Sequence, residues 1–341
     1  MPAIAIVPYT GDGASGLAVN LGITPVVAGV MRGTTGAGPQ TIWRTQSMAA
    51  NESLIWRDSA AGSTEYLRSL TSTGITVGNN ALVNAVGDTY YAWGIAADDG
   101  YVATGTYTGD GTDNRDIAVS FQPDIVIVQD AAAAGTNATQ CSIWIAARGG
   151  DNSAFWEGAS ASASNRIQGA NAAGFQVGTG MNTNLRTFYW LGLRRKAKTI
   201  LDGLYNGNGT DNRNIVLDDP FQPSMVWVKH STGLTSGAYR MNESIHSGDQ
   251  SQVFSDTAVY ADIIQNYNLS GFQIGSSAAV NTNGVPYWFI AFNVGGSGLP
   301  EPGPTGTGSA APSPFEAPDN PYAWYKMGLD MLNTYKAVKI L

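Results

Sequence analysis

Cysteine is all but missing from this chain. Cys141 is the only one in 341 residues, so no intrachain disulfide can form. The fold must rest on burial and hydrogen bonding, which suits folding in a reducing cytoplasm. Histidine is nearly as scarce, with His230 and His246 alone. Two imidazoles and one thiol do not complete a structural zinc site, and no HExxH stretch is present. His246, within Glu243-Ser244-Ile245-His246-Ser247, is expected to be a surface or turn residue rather than a catalytic base. Charge is sparse as well, at 13% of residues with a formal net charge of −8. That balance argues against a nucleic-acid partner, whose backbone needs clustered Lys and Arg. The one basic knot, Arg194-Arg195-Lys196 with Lys198, reads as a solvated junction. No apolar run approaches the roughly 20 residues of a membrane span. The start Met1-Pro2-Ala3-Ile4 lacks the pattern of a signal peptide. The expectation is a protein without membrane insertion and without export by ordinary secretion.

What is abundant is glycine, 42 residues, and its placement is periodic. Tyr9-Thr10-Gly11-Asp12-Gly13 recurs as Tyr107-Thr108-Gly109-Asp110-Gly111 and as Tyr205-Asn206-Gly207-Asn208-Gly209. Both intervals, 9 to 107 and 107 to 205, are 98 residues. A fixed interval across three copies marks a tandem array. The units are assigned to residues 1–98, 99–197 and 198–297, the first being divergent. Gly11, Gly13, Gly109, Gly111, Gly207 and Gly209 are the turn residues that define them.

Each unit carries the same succession of short elements. A proline opens an apolar run: Pro25-Val26-Val27-Ala28, then Pro123-Asp124-Ile125-Val126-Ile127-Val128, then Pro223-Ser224-Met225-Val226-Trp227-Val228. Rich in β-branched residues and too short for a helix, this run reads as a strand buried on both faces. Aromatics follow at Trp43 and Trp56, Trp144 and Trp156, Tyr239 and Phe254, and are assigned to the core. Next comes a glycine-bracketed strand, Gly74–Gly78, Gly174–Gly178 and Gly271–Gly275, whose Thr or Gln should face away from its apolar neighbours. An Asn-bearing turn then leads to a closing aromatic strand: Tyr90-Tyr91-Ala92-Trp93, Phe188-Tyr189-Trp190-Leu191 and Tyr287-Trp288-Phe289-Ile290. About six to eight turn-separated strands per unit predict an all-β chain. It is read as three tandem antiparallel β-sandwiches of jelly-roll or Ig-like type. At about 98 residues each unit is expected to be a domain in its own right.

Beyond the third unit the composition shifts. Residues 295–318 hold six Pro and six Gly, so 298–318 is assigned as a linker. Asp319-Asn320-Pro321 then reads as a helix start, with Asn320 as cap. Tyr325, Leu329, Leu332, Tyr335 and Val338 recur at spacings of three and four, predicting an amphipathic helix over 319–341. One such helix cannot bury its stripe alone. Docking on other chains is favoured over packing back on the third unit.

Few constellations carry chemistry. Asp110-Gly111-Thr112-Asp113-Asn114-Arg115-Asp116, nearly repeated over 208–214, is rich in oxygen ligands, but lacks the spacing and closing Glu of an EF-hand loop. A turn closed by Asx hydrogen bonds accounts for all three copies. Carboxylates such as Asp58, Glu65, Glu157, Asp249, Asp256 and Asp262 exist, but sequence alone does not pair them and none recurs in every unit as a glycosidase pair would suggest. No catalytic, metal or cofactor-binding residue is assigned.

Taken together, Gly111-Thr112-Asp113-Asn114-Arg115 with its copy at Gly209–Arg213, the run Phe121–Val128, and Gly174-Phe175-Gln176-Val177-Gly178 resemble a β-sandwich module of tailed-bacteriophage tail and virion structural proteins. The likeness covers 99–297 well and 1–98 weakly, where Gly22-Ile23-Thr24-Pro25 replaces Phe-Gln-Pro. It implies a non-enzymatic virion protein released by lysis, tail-associated as part of a fibre or adsorption apparatus. Its implied partners are other virion proteins and copies of itself, with a trimer as the expected stoichiometry. A capsid decoration or head-fibre protein and a host-glycan-binding adhesin are the alternatives. A depolymerase is disfavoured by the missing acid pair.

Overall fold

The computed structural model is all-β and describes residues 3–33, 41–56, 65–131, 141–156, 162–231, 237–241, 245–254 and 259–294. The stripe Tyr325, Leu329, Leu332, Tyr335 and Val338 and the linker before it lie outside these residues. Residues 1–297 group as one compact unit.

The first copy contains β1 (Ile4–Thr10), β2 (Leu17–Asn20), β3 (Pro25–Arg32), β4 (Ile42–Thr45), β5 (Leu54–Ile55), β6 (Leu67–Leu70), β7 (Gly74–Val77) and β8 (Thr89–Ala96). They form a large sheet ordered β1-β8-β3-β4-β5 and a small one ordered β2-β7-β6. The second copy repeats this with β9 (Val102–Thr108), β10 (Arg115–Ala118), β11 (Ile125–Asp130), β12 (Ser142–Ile145), β13 (Ala154–Phe155), β14 (Ile167–Asn171), β15 (Gly174–Val177) and β16 (Thr187–Leu193). Its sheets are β13-β12-β11-β16-β9 and β10-β15-β14. The third has β17 (Ile200–Asn206), β18 (Arg213–Val216), β19 (Met225–His230), β20 (Ala238–Arg240), β21 (Ser251–Val253), β22 (Val259–Tyr260), β23 (Ile264–Asn268), β24 (Gly271–Ile274) and β25 (Pro286–Phe292). Its sheets are β17-β25-β19-β20-β21-β22 and β18-β24-β23. The central ladders are antiparallel, β3 on β8, β11 on β16 and β19 on β25. Before each closing strand stands a single helical turn: α1 (Ala81–Asn84), the 3-10 turn Thr179–Met181, and α2 (Ala278–Asn281). Asn80 and Ser277 cap the two α turns by accepting from Leu82 N and Ala279 N.

Alternation along the strands sends side chains to both faces of each large sheet, and both faces are apolar. β11 and β19 are buried at every residue, as the apolar runs predict. One face packs on the small sheet of the same copy. In copy two this layer joins Val126, Val128, Phe188 and Trp190 to Ile117, Ile167, Phe175 and Val177. The other face meets its counterparts from the remaining copies in a single shared core. There Trp43, Trp56 and Trp93 join Ile125, Ile143, Trp156 and Leu191, and these join Trp227, Phe254, Trp288 and Phe292.

The corresponding residues Trp56, Trp156 and Phe254 touch in every pairing, with ring centroids 5.8, 4.8 and 5.9 Å apart, so the copies close a ring around them. Polar contacts seal each joint. Trp43 Nε1 donates to Gln129 Oε1 at 2.5 Å between copies one and two. Ala147 N donates to Asp202 Oδ2 at 3.0 Å between two and three. Gln252 Nε2 reaches Arg32 O at 3.5 Å between three and one. The three copies fill their common centre with different side chains, as the ladder partners show. Gly29 pairs with Trp93, Ile127 with Leu191, and Trp227 with Ile290. A Cβ on Gly29 would lie 2.5 Å from the Trp93 ring, so the glycine is the vacancy that this indole fills.

Candidate functional site

The glycine turns sit where β1, β9 and β17 leave their sheets. Gly11, Gly109 and Gly207 pass so close to the Asn turn that a Cβ would stand 2.1, 2.0 and 2.1 Å from the carbonyl oxygens of Ala85, Thr183 and Thr282. Gly13, Gly111 and Gly209 hold φ of +72°, +77° and +71°, a left-handed backbone that glycine adopts without a Cβ penalty. Under each turn lies a fully buried asparagine. Asn84 Nδ2 donates to Ala14 O at 2.7 Å and Gly78 O at 3.0 Å, and Asp12 N donates to Asn84 Oδ1 at 2.8 Å. Asn182 and Asn281 bond Thr112 O and Thr210 O likewise, each at 2.8 Å. Tyr9, Tyr107 and Tyr205 donate to Val83 O, Met181 O and Val280 O at 2.6, 2.5 and 2.7 Å. The Asx closure expected from the sequence is present: Ala14, Thr112 and Thr210 amides donate to Asp12, Asp110 and Asn208 at 2.8, 2.9 and 2.9 Å. The Thr112 hydroxyl and amide hold the Asp110 carboxyl down at about 2. These turns are therefore latched to the Asn turn of the same copy by their own polar groups, and among the described residues no cluster of His, Cys, Asp or Glu is arranged for a metal.

A second recurrent feature escaped the sequence reading. The ladder between β6 and β7 slips between Leu67 and Ser69, that between β14 and β15 between Ile167 and Gly169, and that between β23 and β24 between Ile264 and Asn266. Each slip is a β-bulge, a device that re-aims one side chain. The bulged residues are Arg68, Gln168 and Gln265. In copy one Arg68 Nη1 donates to Ser15 Oγ at 2.5 Å, and Ser15 donates to Glu65 Oε2 at 3.0 Å. In copy two Gln168 Nε2 donates to Asp113 Oδ1 at 3.0 Å, and in copy three Gln265 Nε2 donates to Asp211 Oδ1 at 2.8 Å. The copy-three bulge floors an open cleft of about 290 Å³ lined by Asn212, Gly248, Asp249, Gln265, Asn266 and Gln273. Asp249 and Asp262, inseparable in sequence from other acids, meet here: Asp262 N donates to Asp249 Oδ1 at 3.0 Å. Ser276 donates to Asp262 and holds its carboxyl below the usual range.

His246 and the basic knot find structural roles. His246 stands in a bend as expected, but is buried rather than on the surface. Its Nδ1 accepts from Met241 N at 3.0 Å, and burial lowers its pKa to about 4. In the knot Arg194 and Lys198 are exposed, as a solvated junction predicts, while Arg195 pairs with the buried Asp202, Lys196 with Asp98 and Lys198 with Asp219.

Lys229 is fully buried two residues after Trp227, on the shared-core face, and desolvation pushes its pKa down to about 7. A lysine whose folded pKa lies below its unfolded 10.5 penalises folding most below the folded value. The penalty fades as pH rises through the window between the two. Stability measured by urea unfolding should therefore rise by about 2 kcal/mol from pH 7 to pH 9. Lys229→Met, which installs the residue that copy one carries as Met31, should flatten that rise. An equal slope in the variant would assign the effect to another group.

Comparison with known families is decisive for kinship. A family described as a domain of unknown function, DUF7483, matches residues 3–177, just over half of the chain. The chain belongs to the DUF7483 family. The DUF7483 match runs through β1–β8 of copy one and continues in copy two as far as β15. Copy three, with the open cleft, repeats the layout beyond the DUF7483 match. No curated protein and no solved structure matches the chain.

Proposed function

We propose that this DUF7483 protein is a structural component of a bacteriophage virion, tail-associated and non-enzymatic, part of a fibre or adsorption apparatus. In this reading it comprises three sandwich units, a Pro/Gly linker, and a C-terminal helix that joins it to other virion proteins and to copies of itself. The observation that carries the reading is the joining of three copies of the module resembled in sequence through one aromatic core, Trp56 on Trp156 on Phe254. Such a block presents three similar rims at fixed spacing, as a display element requires. Its buried polar groups, Asn84, Asn182, Asn281 and Gln129 among them, are spent on holding turns and joints.

Gold-labelled antibody against the full chain should decorate the tails of intact particles. Label on heads would instead favour a capsid decoration or head-fibre protein, and particles without label would end the virion reading. Deleting 319–341 should leave the 1–297 block folded and remove it from particles. Unchanged incorporation would sink the anchoring role of the helix.

A further inference from the structure

We propose that the cleft at the copy-three bulge binds a neutral saccharide, one ring at a time. The inference stands on this cleft and is independent of where the protein resides. Its lining of Asn212, Asp249, Gln265, Asn266 and Gln273 holds amides and one carboxylate, with no basic or aliphatic side chain. Hydroxyl groups both donate and accept, and a mixed set of amide N–H donors with amide and carboxylate acceptors answers both. An anionic ligand would meet Asp249 with Asp211 and Asp262 behind it, in a cleft whose lining carries no basic side chain. A metal ion finds the carboxylates already engaged: Asp249 by the Asp262 amide, Asp211 and Asp262 by Gln265 Nε2 at 2.8 and 3.4 Å.

The second observation is Gln265 itself. It is only 6% exposed, and while its Nε2 is held by two carboxylates, its Oε1 is buried with no hydrogen-bond partner. A buried acceptor left unpaired costs free energy, and a small turn of the amide that brings Oε1 to the cleft surface would let a ligand hydroxyl restore it. The bulge, a local irregularity retained in all three copies, is what places that amide in the cleft floor. The copies also show how the site is closed. Copy one fills the position with Arg68 bonded to Ser15 and Asn51. Copy two keeps the frame, with Gln168 on Asp113, Asn165 N on Asp151, and a Gln168 Oε1 that likewise lacks a partner. It has Gly169 where copy three has Asn266, and so loses one wall. A volume of about 290 Å³ lies at the small end of ligand sites, suited to one sugar ring or a chain end.

The test uses the full chain on an array of neutral, sialylated and sulfated oligosaccharides. Hits are then titrated by saturation-transfer NMR and calorimetry. The expected result is retention of neutral glycans with one site per chain. Gln265→Arg, which transplants the copy-one residue, should abolish binding. Asn266→Gly, an exposed position given the copy-two residue, should weaken it about tenfold, the loss of one good hydrogen bond. Thermal unfolding checks that each variant is folded, and Asn266→Gly decides the matter if Gln265→Arg does not fold. Retention of charged glycans only, calcium binding without saccharide, no retained glycan, or binding unchanged in folded variants would each overturn the proposal.

Discussion

Residues 99–197 produced alone should fail to give a folded monomer. Within the chain, Val102, Ile125, Ile127, Ile143, Ile145, Trp156, Leu191 and Leu193 lie in the shared core, each at most 6% exposed. Excision leaves their common sheet face bare. Fully burying a large apolar side chain contributes about 1.5–3 kcal/mol, so the face as a whole is worth well over 10 kcal/mol. A domain's entire stability is about 5–15 kcal/mol. The remaining layer between the two sheets, built on Val126, Val128, Phe175 and Phe188, has to hold the unit without that term. The fragment is expected to aggregate, or to associate so that its bare faces cover one another. Circular dichroism with size-exclusion chromatography checks this. A monomer with a cooperative melt would mean that each sandwich carries enough core of its own and that the shared core adds little.

The two levels of order differ in how far the sequence announces them. The turns were legible because their residues are dictated by backbone geometry. Gly11 and its copies admit no Cβ, Gly13 and its copies need a positive φ, and the Asx closure at Asp110 follows from side-chain length. The strand buried on both faces was legible at Ile125–Val128, and such burial already requires a layer on each side. What supplies the second layer was not legible. Gly29 with Trp93, Ile127 with Leu191 and Trp227 with Ile290 look like unrelated divergence until their ladders place each pair at one point of a common centre. Nor was the cleft. A bulge adds a residue without a composition signal, and Gln168 and Gln265 in their short strands read as ordinary exposed positions. One hint was available: Arg68, Gln168 and Gln265 are polar residues directly following an apolar strand residue, Leu67, Ile167 and Ile264, at corresponding places in the three units. His246 misled because its bend is buried against Tyr239 nearby and against Tyr91 of copy one, a partner far away in the chain.

Trp156→Ala should lower the stability of the whole 1–297 block by about 4 kcal/mol, and should do so in one transition. Truncating a buried tryptophan costs about 3–5 kcal/mol, because its cavity closes only in part. Here the indole is fully buried and packs on Trp56 at 5.8 Å, Trp227 at 5.3 Å, Phe254 at 4.8 Å and Trp288 at 4.8 Å. Its Nε1 has no hydrogen-bond partner among the described residues, so the loss is one of packing and ring contact. These neighbours belong to copies one and three, and none belongs to the copy that carries the substitution. The damage is therefore shared at once. Trp156→Phe should cost far less, since copy three already holds Phe254 at the corresponding place. Urea unfolding followed by far-UV circular dichroism and by tryptophan emission gives the comparison. Coincident transitions shifted together are expected for both probes. A split in which one third of the signal melts early, with the rest unchanged, would show that the copies fold separately and merely touch at Trp156.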